Sequence, residues 1–128
     1  MRAKARLGLV VVDHLQLIRG TDQSTRAREV GENSRSLKLA AMDFDVPILA
    51  LSQVDRASLR NGEIGLHSAK ESGDIENDAD VLLWVKAAEE FSRDNETFAS
   101  IHVGKQREGP AGFDIPMVFR PKSQTFME

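Results

Sequence analysis

Leu7-Gly8-Leu9-Val10-Val11-Val12-Asp13 is the stretch on which the fold turns. It is short, continuously apolar and rich in β-branched residues, so it reads as a strand buried on both faces of a parallel sheet. The run stops at Asp13, which puts a carboxylate at the carboxyl end of that strand, where open α/β sheets bind their ligands. Working outward, Ala27, Val30, Ser34, Leu37, Ala41 and Phe44 follow at spacings of three and four. Those positions form one face of a helix running from Ser24 to about Asp43, with Arg26, Arg28, Glu29, Glu32, Arg35 and Lys38 on its wet side. Val46-Pro47-Ile48-Leu49-Ala50-Leu51 is a second buried strand, with Pro47 tolerable only near its start, and it ends at Ser52-Gln53.

Downstream, residues Asp55 to Lys70 carry the breakers Asn61, Gly62 and Gly65 and no helical stripe, the pattern of a mobile loop. Ser72 is a fitting N-cap, with Asp74 and Glu76 placed for the positive end of a short helix. A strand Val81-Leu82-Leu83-Trp84-Val85 comes next. The apolar residues of Phe98 to Val103 and of Phe113 to Phe119 then alternate, which predicts two antiparallel strands with one face buried, joined as a hairpin by Gly104 to Gly112. The order of elements is that of an α/β fold.

Composition narrows the functions open to such a fold. A chain of 128 residues makes one domain of about 14 Å radius of gyration. With no cysteine it has no disulfide, thiolate zinc site or cysteine nucleophile. Its longest strongly apolar run, Leu7 to Val12, is far short of the roughly 18 residues of a membrane span, and no signal-peptide core follows Met1. The expectation is a cytoplasmic protein with no membrane partner. Seventeen basic against 20 acidic residues, a net charge of -3, confine any nucleic-acid contact to a local basic patch. Counting a calcium loop from Asp74 puts Ala79 at the glycine position and Val85 at the glutamate position, which rules that loop out. His14, His67 and His102 have no ligand spacing, and no G-x-S-x-G is present.

Four residues could carry chemistry. Asp13 could hold Mg²⁺ beside the phosphates of ATP, the Walker-B role, or be an ordinary Asp ending a strand at a turn. Gln53 could sense a γ-phosphate or simply terminate its strand. Lys105 and Arg107, read at the turn of a Gly-flanked hairpin, could reach another subunit or form a solvated basic turn.

Read in order, Leu9 to Leu17, Ser34-Arg35-Ser36-Leu37-Lys38, Val46 to Gln53, Glu71 to Asp80 and Gly104 to Pro110 resemble the successive motifs of the DnaB-type replicative DNA helicases, over nearly the whole chain. That resemblance implies a partial RecA-like P-loop NTPase fold, a mostly parallel sheet with a C-terminal antiparallel hairpin. Residues 1–128 would form one partial domain, the C-terminal half of the ATPase domain of a homohexameric ring that moves along single-stranded DNA and unwinds duplex during replication. It implies ATP and Mg²⁺ as cofactors, with primase and a helicase loader among the partners. Asp13 matches the Walker-B acid and metal ligand, and Gln53 the residue coupling the γ-phosphate to the DNA loops. Lys70, Glu71 and Gly73 match the DNA-binding segment, and Lys105 and Arg107 the basic pair offered in trans to a neighbour's nucleotide. The chain departs from the pattern with His14 for Tyr, Lys70 for Arg, Glu108 for Asn and Ala111 for Thr.

The family's phosphate-cradling segment has no counterpart here. The nearest approach to G-x-x-x-x-G-K-[ST] is Gly104-Lys105, which is followed by Gln106 and preceded by Ala99 where the first glycine belongs. The 128-residue chain alone is therefore expected not to turn over ATP. A non-catalytic RecA-like binding module and a RecA-type recombinase fragment share the same strands. The first would need stacking aromatics, which a 5% aromatic content with no Tyr does not offer. Lys105-Gln106-Arg107 in its hairpin fits the helicase better than the second.

Overall fold

The computed structural model of the chain describes residues 7–19, 25–53, 72–93 and 96–127. Two compact units divide it, Met1–Ala79 and Asp80–Glu128. The expected loop 55–70, together with Lys70 and Glu71, lies outside the described residues.

In the first unit, β1 (Val10–Val12) pairs in parallel with β2 (Ile48–Ala50), Val10 opposite Ile48 and Val12 opposite Ala50. Both strands are shorter than the apolar runs that encode them, but the hydrogen bonding continues past their ends. The Val10 N–H donates to the Pro47 carbonyl at 3.0 Å and the Leu51 N–H to the Val12 carbonyl at 2.9 Å. Pro47, with no N–H to give, serves as an acceptor at the strand entrance, the place a proline tolerates. After β1 the chain makes a 3-10 turn, Leu15–Leu17, stapled back to the second strand by the Leu15 N–H on the Leu51 carbonyl at 2.8 Å.

Helix α1 (Arg26–Phe44) buries Val30, Gly31 and Ser34 and carries the ion pairs Arg26–Glu29 at 2.8 Å and Arg28–Glu32 at 2.9 Å on its exposed side. The apolar stripe read from the sequence ends one turn early, since Phe44 is 77% exposed. Asp45 is the reason: it adopts a left-handed conformation that turns the chain off the helix axis towards Val46, which is buried. Helix α2 (Ser72–Asp78) packs on α1, with the Asp74 side chain against Gly31. The core of this unit is Leu15, Val30 and Val46. The expectation that both strands are buried on both faces is not met among the described residues. Leu9, Val11 and Leu49 are about half exposed.

The second unit is an antiparallel sheet in the order β3-β4-β5-β6. Its strands are β3 (Val81–Arg93), β4 (Glu96–Gln106), β5 (Phe113–Arg120) and β6 (Thr125–Met127). The chain is α/β as expected, and its antiparallel part extends well beyond one hairpin. Leu83, Val103 and Phe113 stand opposite one another across three strands, as do Val85, Ile101 and Ile115. This gathers the alternating apolar residues on one face. Pro116 sits where β5 pairs with β4 alone, because β6 reaches only as far as Val118. The β4–β5 turn closes at Gly112, whose φ of 82° suits glycine and whose N–H reaches the Val103 carbonyl at 2.6 Å.

Candidate functional site

Parallel pairing sends β1 and β2 out at the same edge of their sheet, so Asp13 and the Ser52-Gln53 segment share the carboxyl end of the pair. The Asp13 carboxylate is 73% exposed, with the His14 Nδ1 at 3.8 Å, and the peptide between them is cis. Gln16, to which the sequence reading gave no role, reaches across this edge. Its Nε2 donates to the Ser52 hydroxyl at 2.9 Å and to the Gln53 carbonyl at 3.2 Å, and its Oε1 accepts the Gln53 N–H at 3.2 Å. Periodicity could not mark it, because it lies in a turn and its partners are 36 and 37 positions away. Gly73, the third matched DNA-binding position, lies in the first turn of α2, and the space where a side chain would project is open.

The basic pair lies in the second unit and differs in placement from the expected turn. Lys105 is still inside β4, and only Arg107 belongs to the turn. The register explains which face Lys105 takes. Leu82 stands opposite Lys105 but Leu83 opposite Val103, so Gly104 is an extra residue, a β-bulge. Residues directly opposite share a face, and Leu82 shares its face with Trp84. The bulge therefore moves Lys105 from the apolar side of Val103 to the side of Trp84, His102 and Asp114. The Trp84 ring covers Gly104 so closely that a Cβ there would collide with it, and its centroid is 5.6 Å from that of His102.

Two residues beyond Lys105, Arg107 is anchored to Asp80 twice. Its N–H donates to the Asp80 carbonyl at 2.8 Å, and its Nε lies 3.2 Å from an Asp80 carboxylate oxygen. On the same face His102 Nδ1 lies 2.9 Å from Asp114 Oδ1, and the Lys86 ammonium donates to that oxygen at 3.3 Å. An ionised carboxylate only accepts, so Nδ1 carries the proton. The His102 hydrogen bond, aided by Lys86 and opposed by partial burial, lowers the Asp114 pKa from its ordinary 3.8.

With this geometry in place, comparison with known proteins identifies the family. All of residues 1–128 match the family described as the DnaB-like helicase C terminal domain. The chain belongs to that family. Among relatives, it is 37% identical over 118 residues to the replicative DNA helicase DnaB of Geobacillus stearothermophilus, covering 88% of this chain and 26% of the relative. With the Pasteurella multocida DnaB it shares 38% over 130 residues, 98% of this chain and 28% of that one. A solved structure of a DnaB-like replicative helicase, described with its interactions with primase, matches with a TM-score of 0.77 and 27% identity over 92% of this chain and 29% of its own. The chain thus spans between a quarter and three tenths of the length of these DnaB relatives. No described helix is long and apolar enough to cross a membrane.

Proposed function

We propose that this chain is the C-terminal half of the ATPase domain of a replicative helicase that burns ATP to move along single-stranded DNA and separate a duplex. The observation that carries the reading is the shared strand-end edge of Asp13 and Gln53. In the ring, Asp13 would hold Mg²⁺ through its exposed carboxylate. This suits a cation that takes one or two carboxylates from its protein, and among the described residues no three acids or histidines gather to form a closed cage. When bound, Mg²⁺ neutralises charge building on the β- and γ-phosphates.

Gln53 faces the γ-phosphate with an amide that distinguishes ATP from ADP and relays the difference towards DNA. Lys70, Glu71 and Gly73 serve the DNA backbone, Lys70 as a point charge rather than a bidentate fork. Lys105 and Arg107 belong to the neighbouring subunit's site, where two cations stabilise the charge of the transition state. Primase and a helicase loader are among the partners of this ring, which works in the cytoplasm.

The test is Arg107→Ala in the intact hexamer. Turnover should fall on the order of 10³-fold or more with nucleotide binding intact, the cost of losing an arginine finger. Near-normal turnover would refute the assignment.

A further inference from the structure

We infer that Gln16 is a positioning residue that fixes Gln53 to the segment following Asp13, so that the two ends of the nucleotide edge move together. The inference rests on Gln53 acting as the γ-phosphate sensor. Gln16 takes both main-chain groups of Gln53, donating to its carbonyl and accepting from its N–H, each at 3.2 Å. A side-chain amide set against one residue's C=O and N–H reproduces a rung of sheet where the ladder has ended, and it fixes orientation as well as distance. The third bond, 2.9 Å to the Ser52 hydroxyl, extends the grip by one residue.

The base of Gln16 is itself anchored. Leu15 is 2% exposed, and its N–H is bonded to the Leu51 carbonyl at 2.8 Å. Gln16 therefore projects from a fixed point two residues from the Asp13–His14 peptide and holds the main chain of Gln53, leaving the Gln53 side chain to meet the nucleotide. A shift of the Asp13 loop that follows nucleotide state is passed through the Gln16 side chain to Gln53 by two hydrogen bonds and to Ser52 by a third.

The experiment uses the intact helicase and measures ATPase with and without single-stranded DNA, nucleotide affinity, and the thermal midpoint. Gln16→Met keeps the length and removes every hydrogen bond. Its KM and nucleotide affinity should stay within about twofold of wild type while DNA-stimulated kcat falls roughly 3- to 30-fold, the range of coupling losses along such networks. Gln16→Glu can still accept from the Gln53 N–H and from the Ser52 hydroxyl but loses the bond to the Gln53 carbonyl, and should fall between. Because Gln16 acts through Gln53, the double variant Gln16→Met/Gln53→Ala should be no slower than Gln53→Ala alone. If Gln53→Ala is slow and Gln16→Met is not, or if the two losses multiply, the inference fails and the sensor reading survives. If Gln53→Ala itself turns over normally, the sensor reading fails and takes this inference with it. A Gln16→Met that loses nucleotide affinity and thermal stability together would mark the residue as structural and overturn its positioning role.

Discussion

Replacing Gly104 by Ala should cost far more than one methyl group on a strand ordinarily does. The added Cβ falls inside the space of the Trp84 ring, whose Cζ3, Cη2 and Cε3 atoms are the nearest it meets. Two responses are open to the sheet. Trp84 swings away and gives up its packing against Gly104 and His102, or the bulge irons out and Lys105 turns to the apolar side with Val103. Overpacking of this kind costs about 1–3 kcal/mol, and for a domain of this size each kilocalorie lowers the melting temperature by roughly 2–8 °C. Urea unfolding of the chain measures the stability, and ATPase of the intact ring reads the placement of Lys105. Trp84→Ala supplies the control: once the ring is gone, Gly104→Ala should cost less than about 0.5 kcal/mol more, so the pair should couple strongly in a double-mutant cycle. Equal costs with and without the ring would refute the reasoning.

Other expectations follow from single contacts. Asp80→Asn leaves the main-chain bond to Arg107 in place and removes only the charge beside its Nε, so it should lower kcat of the ring several-fold with KM unchanged and barely move stability, as is usual for an exposed pair. Leu15→Ala empties a position only 2% exposed and should destabilise the chain by about 2–5 kcal/mol in urea. The Asp114 pKa, lowered chiefly by the His102 hydrogen bond, means that the ionised form favours the fold. Its contribution is complete above the ordinary carboxylate value and is lost as pH falls through the lowered one, so between pH 6 and pH 3 the wild type should lose more urea resistance than Asp114→Asn.

The first strand, its terminal acid and the helix after it were legible because each rests on local patterning: an apolar run, an abrupt carboxylate, a three-four spacing. The pattern overran at Phe44 because hydrophobic spacing does not register a left-handed residue at Asp45. Burial of both strand faces was overestimated for a different reason. Apolar content says that a face seeks cover, but not that an element supplies it, and Leu9, Val11 and Leu49 stay half exposed. The facing of Lys105 depends on which residue of β3 lies opposite, so counting alternation along β4 alone assigns it to the side of Val103. Gln16 was invisible because nothing near it in sequence needs an amide, and its partners lie beyond the end of β2.

Only Asp45, Val46 and Pro47 separate α1 from β2, and none of them is slack. The Asp45 N–H is bonded to the Met42 carbonyl at 3.4 Å, the Val46 N–H to the Ala41 carbonyl at 3.1 Å, and the Pro47 carbonyl takes the Val10 N–H at 3.0 Å. Fully stretched, three residues span about 10 Å, and these three are already folded back on the helix. A slide of α1 by one helical turn, about 5.4 Å, would have to break the cap or drag β2 along β1. The joint between helix and strand thus serves both at once: the residues that close the end of α1 are the ones that deliver the chain to β1.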